Sequence, residues 1–492
     1  MVSKSRLRTA HMPVIMAFTL LAVLAVQPAH AQSVKVAPVS GHPGVTASLT
    51  GSGFGDSEAV DVYVDTTDTM LTVSSATGTL TASVTIPASE QPGAHFLTAI
   101  GRRTGDAAQV AFTVTTPWVE QGFGAAHLSW NPYENTISTA NVATLGELWS
   151  ASTNTGGSTP AVINGKVYVT TLAGITALSS TTGAVVWNKL PSVQFFGSPA
   201  VAGGLIYAMG VSTSTFYALN ASNGTTKWTQ TLGEGTYSSP IVVNGVVYVG
   251  CNDNKVYALN STTGAILWSF VTGNIVEASP TVVNGVVYVG STDNNTYALN
   301  ASTGALIWSY ATNSEVEGAP SLANGALYEG SDDGNVYALR TAGDTAGSVL
   351  WTYTTGSDVF QSPAVAEGVV YIGNLNGDLY AINGHTGFVL WSFGATGILG
   401  SAIVANNVVY ATARDGSLYA LNAANGELLA TASVGYSFLG NPIVSDGVLY
   451  LNTEGGNTYA FALLAGTNTV KRNAIAPRIS SLHPDLSLQV TH

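Results

Sequence analysis

Residues able to do chemistry are few in this sequence, and their spacing is the first clue to their use. Glu277 and Glu317 each stand three positions before a proline, Pro280 and Pro320. The same offset picks out Gly157, Phe196, Tyr237, Phe360 and Leu439 ahead of Pro160, Pro199, Pro240, Pro363 and Pro442, and Leu399 ahead of Ala402. If the chain brings these positions to one channel mouth, aromatic and aliphatic surfaces beside two carboxylates could grip a peptide, a glycan or a metal-bound ligand. The plainer reading is that the apolar members fill the entrance and the two glutamates are solvated. Glu277 and Glu317 are the candidate metal ligands. No catalytic residue and no cofactor-binding residue is assigned, because no Ser-His-Asp set or phosphate loop stands out and His127 and His385 lie far apart. The stretch SDDGN, Ser331 to Asn335, has the look of part of a calcium loop, but no bidentate Glu follows at the required distance, so it reads as a turn.

Composition narrows the classes further. The 492 residues are 46% hydrophobic and 9% charged, with 54 glycines, which suits short strands and tight turns. A net charge of −13 with only 15 Lys and Arg leaves no basic stripe for phosphates, so nucleic acid is excluded as a partner. Within 145–465 the basic residues reduce to Lys166, Lys189, Lys227, Lys255, Arg340 and Arg414. At the N-terminus Lys4, Arg6 and Arg8 precede an apolar run from Val14 to Val26 and then Ala29-His30-Ala31, a secretory signal (1–31) expected to be cut after Ala31. That run is shorter than the roughly 20 apolar residues of a spanning helix. The mature chain is therefore expected to be secreted, periplasmic or of the cell envelope, without a transmembrane span. Cys251 is the single cysteine, so no internal disulfide forms.

From 33 to 116 alternating residues such as Val60, Val62 and Val64, broken by Gly, Pro and Asp, read as about seven strands of a small β-sandwich. The segment GSGFGDSEAV, Gly51 to Val60, resembles the IPT/TIG immunoglobulin-like domains, which implies a spacer or adhesion module. Residues 117–144 read as a linker leading into the next domain, and 466–492 as a flexible tail.

Between them, 145–465 is a repeat array. The unit SPTVVNGVVYVGSTDNNTYALNASTGALIWSY, Ser279 to Tyr310, recurs at steps of 39 to 43 residues, giving eight units. Each reads as four short strands joined by tight turns, the signature of a β-propeller. The pattern Ala-x-Asn-x-x-x-Gly-x-x-x-Trp runs through Ala218 to Trp228, Ala258 to Trp268, Ala298 to Trp308 and Ala381 to Trp391, while Ala430 stands where the seventh Trp belongs. Trp149, Trp187, Trp228, Trp268, Trp308, Trp351 and Trp391 are expected to dock blade against blade. The last unit lacks a Trp strand, and an orphan one, Leu145 to Thr153, precedes the first; their pairing would close an all-β, eight-bladed ring.

These repeats resemble pyrroloquinoline-quinone (PQQ) propeller repeats, with Asn220, Asn260, Asn300, Asn383 and Asn422 where those carry Asp. The resemblance implies one of two functions. Quinoprotein dehydrogenases hold PQQ and a metal in the central funnel, whereas BamB-like proteins use the propeller as an envelope scaffold. With one Cys, few basic residues and short loops, the expectation is a non-catalytic, monomeric scaffold without a cofactor, binding an extracytoplasmic protein or glycan. The alternative is a PQQ- and calcium-dependent dehydrogenase of alcohols or sugars, with Glu277 or Glu317 as ligands.

Overall fold

The computed structural model describes residues 32–156, 158–395, 400–413, 415–435 and 440–464. The expected signal segment, the tail from 466, and Gly157, Leu399, Leu439 and Arg414 lie outside the described residues. The chain divides into two compact units.

The N-terminal strands form a three-stranded sheet, in the order Ser33–Ala37, Thr46–Ser52, Leu80–Thr85, and a five-stranded sheet, in the order Ser40–Gly41, Ala107–Val114, Gly93–Gly101, Ala59–Val64, Thr67–Val73. That is one strand more than the sequence suggested, the extra one being the two-residue Ser40–Gly41. Alternation does the work here: Val60, Val62 and Val64 are fully buried and their neighbours face outward. Glu58, inside GSGFGDSEAV, accepts N–H bonds from Gly55, Arg103 and Thr104. Burial pushes its pKa up, but the Thr104 hydroxyl and these amides outweigh that and hold it below the ordinary value.

The remaining strands build eight four-stranded antiparallel sheets, one of which gains a fifth, parallel strand. Numbered by their first strands these are one (Ala161–Ile163), two (Ala200–Ala202), three (Ile241–Val243), four (Thr281–Val283), five (Ser321–Ala323), six (Ala364–Ala366), seven (Ile403–Ala405) and eight (Ile443–Ser445). An Asn-Gly or similar pair links first to second strand, as at Asn284 and Gly285 with φ of 52° and 78°. In sheet eight the outer strand comes from before the repeats: Leu145–Ser152 pairs antiparallel with Asn457–Leu463, Trp149 opposite Ala460. Ring closure through the orphan strand is thus present. The structure is a β-propeller.

The Ala-x-Asn-x-x-x-Gly-x-x-x-Trp pattern serves the junctions between sheets. The Asn300 side chain accepts the amides of Ser302 and Thr303, shaping the turn, and Gly304 completes it at φ 71°. Trp268 of the preceding sheet lies flat on that turn, so close that a Cβ at Gly304 would sit 2.7 Å from its ring. Its indole N–H and the Tyr248 hydroxyl both donate to the Ala301 carbonyl, at 2.9 and 3.1 Å. The same pair of donors meets one carbonyl at Trp187 and Tyr168, Trp228 and Tyr207, Trp351 and Tyr328, and Trp391 and Tyr371. Trp149 donates to the Ser180 carbonyl, and the Trp308 ring packs on Gly347.

The segment read as a linker has a place of its own. Residues 118–131 thread past the first strands of all eight sheets in order, each time meeting the residue two after the repeat's leading position. Trp118 bridges Val162, the Val119 carbonyl accepts from Val201, and the Glu120 carboxyl from Val242. The carbonyls of Ala125, Ala126, Leu128 and Ser129 accept from Val282, Leu322, Val365 and Val404 at 2.8 to 2.9 Å, and the Asn131 amide donates to Val444. Trp130–Asn131 is the fifth strand of sheet seven. Gly122, Phe123, Gly124, His127 and Ser129 all take positive φ. His127 is buried beneath Gly122, neither ring nitrogen makes a regular hydrogen bond among the described residues, and burial drives its pKa down to about 4 against the pull of the Pro280 carbonyl.

Candidate functional site: the channel mouth

Just ahead of each first strand the chain makes a short loop, and neighbouring loops are stitched together. The amide of Asn441 donates to the Thr159 hydroxyl, Thr159 to Ser198, Ser198 to Ser239, and Ser239 to Ser279, at 2.8 to 3.1 Å. Ala319 donates to Ser362 and Ser362 to Ser401 in the same way. A short hydroxyl side chain accepts from the preceding loop at this range, which accounts for the recurrence of Ser or Thr before the leading position, Ala319 and Asn441 being the exceptions. At Gly197 the neighbouring loop comes closer still: a Cβ there would lie 2.5 Å from the Ser238 carbonyl, which favours glycine at this loop, whereas Ser158, Ser238, Ala278 and Gln361 hold the matching place in others.

Inside this girdle lies a cavity of about 260 Å³. Phe196, Tyr237, Glu277, Glu317 and Phe360 all line it, so five of the seven candidates converge, and the other two, Leu399 and Leu439, are outside the described residues. Phe196 and Tyr237 are 41% and 49% exposed, with ring centres 4.8 Å apart, an accessible aromatic step. The floor includes Gln121 of the threaded segment, which accepts from the Ser279 hydroxyl at 3.0 Å, and the wall includes Gln361, which accepts likewise from Ser401.

The carboxylates group differently from the sequence expectation. Glu317 gathers with Glu315 and Asp332, their oxygens within 4.8 Å of one another, while Glu277 faces the same cavity from outside that group. Burial, then Asp332, Glu277 and Glu315, lift Glu317 to about 7. Burial, then Asp358 and Glu315, lift Asp332 to about 6. Glu277 is raised by burial and by Glu315. Packing like charges in a half-buried site holds part of this group protonated near neutrality. Asp332 and Asp333 divide the work of SDDGN. Asp333 builds the turn, accepting from the Asn335 amide at 3.0 Å and from the Tyr337 hydroxyl at 2.6 Å, and Asp332 turns to the carboxylate group. Asp332 was set aside with SDDGN as a turn residue, a reading that holds for Asp333 but not for its neighbour, and Glu315 escaped because it lies off the three-residue offset that selected the other candidates.

PQQ can be tested against this donor set. It is a polyanionic quinone, and the cavity wall offers carboxylates, amides and hydroxyls; among the described residues no Lys, Arg or His lines it. Glu315, Glu317 and Asp332 could hold a hard cation, but the quinone's own carboxylates would meet negative charge. The described lining residues offer the quinone's carboxylates no basic partner.

The sequence profile described as outer membrane protein assembly factor BamB matches residues 134–274, 252–392 and 393–471. The chain belongs to the BamB family. Solved structures agree on the fold. The BamB crystal structure from Moraxella catarrhalis is 19% identical, with a TM-score of 0.58 over 67% of this chain and 100% of that one. A quinohemoprotein alcohol dehydrogenase from Pseudomonas putida HK5 is 17% identical, with a TM-score of 0.63 over 74% and 82%. A europium-containing methanol dehydrogenase is 15% identical, with a TM-score of 0.63 over 71% and 98%. No curated protein matches the sequence. The BamB family thus shares its propeller with dehydrogenases, and the fold by itself does not choose between scaffold and enzyme.

Proposed function

We propose that this protein is an exported, non-catalytic scaffold of the cell envelope, an eight-bladed propeller whose channel mouth recognises a protein or glycan partner. The observation that carries the reading is the mouth cavity itself. It presents an exposed aromatic step beside acceptor-rich walls, is floored by the threaded segment, and among its described residues lacks the basic side chains a quinone would need. Family membership supports a scaffold role. Export rests on the N-terminal signal sequence, and no helix among the described residues is long and apolar enough to cross a membrane. The N-terminal sheets would act as an Ig-like spacer, and a monomer is proposed.

The dehydrogenase reading draws on the carboxylate group at Glu315, Glu317 and Asp332 and on the shared fold. One titration separates the two. Mature protein is mixed with PQQ and calcium in a calorimeter and then assayed for dye reduction with alcohols and aldoses. The scaffold reading expects no stoichiometric PQQ binding and no turnover; tight binding with turnover overturns it. In parallel, Phe196→Ala with Tyr237→Ala should leave the melting temperature unchanged and abolish recovery of envelope partners by cross-linking.

A further inference from the structure

One junction of the ring lacks the tryptophan that the seven other outer strands carry. Four consecutive outer strands carry a pair of aromatics two residues apart: Trp268 and Phe270, Trp308 and Tyr310, Trp351 and Tyr353, Trp391 and Phe393. The second ring of each pair packs against a Tyr in the next sheet at 5.3 to 5.5 Å, as Phe393 does on Tyr419. In sheet seven both places hold alanine, Ala430 and Ala432, on strand Leu428–Ser433. The tyrosine that belongs to the junction is still there. Tyr168, Tyr207, Tyr248, Tyr328 and Tyr371 each donate to a carbonyl of the following sheet, whereas the fully buried Tyr410 hydroxyl has no partner among the described residues.

A cavity of about 200 Å³ occupies the place of the missing rings, between sheets seven and eight. Leu145, Leu418, Ala430, Ala432, Leu449 and Phe461 make it apolar, and Tyr410 forms part of its wall. Glu147 and Ser433 also line it and are exposed, so it reaches the surface. An apolar cavity of about 150 Å³ stays dry and takes up benzene, so this one is large enough for a ring system.

We propose that this seam cavity is a binding site for a small, flat, uncharged ligand, with an apolar body of indole size and one oxygen that accepts from the Tyr410 hydroxyl. Apolar walls disfavour any charged group, and Glu147 at the opening adds repulsion toward anions. The acceptor is demanded because a buried hydroxyl without a partner loses its hydration and gains nothing in return. The site is separate from the channel mouth and stands whether or not the mouth binds a partner.

The test uses two bicyclic probes of equal shape on the full chain, 1-indanone with a carbonyl and indane without, followed by calorimetry and thermal shift. Both should bind saturably at one site, with indanone tighter by up to about tenfold. In Tyr410→Phe that preference should vanish while indane binding persists. In Ala430→Trp, which restores the repeat's own filling, binding of both should fall at least tenfold and the unliganded melting temperature should rise. Absence of saturable binding to the full chain, or binding that Ala430→Trp leaves unchanged, overturns the proposal. An indanone preference that survives Tyr410→Phe removes Tyr410 from the site.

Discussion

Glu329 offers the sharpest energetic test of the propeller core. It sits on the second strand of sheet five, where Val249, Val289 and Ile372 occupy the matching places in other sheets. It is fully buried; one carboxyl oxygen accepts from the Thr296 hydroxyl at 2.5 Å and the other has no partner among the described residues. Burial raises its pKa to about 7, opposed by the Thr296 bond and aided by Asp333, and Glu329 in turn raises Tyr310. An unfolded chain titrates this group near 4.5. Between those values the folded state holds the extra proton, so the contribution to stability is full below pH 4.5, declines up to pH 7 and is flat beyond. At 1.36 kcal/mol per unit the loss is about 3 kcal/mol. Glu329→Gln cannot ionise and lacks this loss, although its buried amide imposes a pH-independent cost of about 1–3 kcal/mol. The difference in unfolding free energy between variant and parent should therefore move by about 3 kcal/mol in favour of Gln from pH 4.5 to pH 8. Urea unfolding followed by tryptophan fluorescence measures it. Glu120, raised to about 7 by burial, and His127 titrate in both proteins and cancel. Curves that run parallel across this range would falsify the argument.

Three other outcomes are expected. Gly304→Ala, forced to φ 71° against Trp268, should cost about 1–3 kcal/mol from the backbone alone, read as a lower urea midpoint than Ala305→Gly produces. Gly122→Ala places a methyl into the His127 ring and should lower the melting temperature, with hydrogen exchange speeding at Val282 and Leu322, whose amides bond to Ala125 and Ala126. Asp332→Asn should bring Glu317 down from about 7 toward the ordinary carboxylate value, seen by carbon-13 NMR of the side-chain carboxyls; an unchanged titration would separate the two groups.

The repeats were legible because their signals reside in side chains of fixed type at fixed intervals. Gly304 must be glycine for both its φ and its contact with Trp268, and Asn300 must cap the turn, so residue identity alone marks the junction. Convergence of Phe196, Tyr237, Glu277, Glu317 and Phe360 followed from one offset repeated around a ring. The threaded segment was not legible, since Val119, Ala125, Ala126, Leu128 and Ser129 bond through main-chain carbonyls that every residue owns. Its five positive-φ residues are not all glycines, which hid the turns. Ala430 was visible as a gap in the motif, but the matching loss at Ala432 and the idle hydroxyl of Tyr410 needed the third dimension.

The threaded segment also works as a tally. It is made ahead of the repeats, and its bonding groups from Trp118 to Asn131 meet the sheets in the order in which the chain produces them. Each new sheet finds one station already waiting, and the eighth finds the last. The eight sheets are thus matched one by one by fourteen residues that lie outside the repeats.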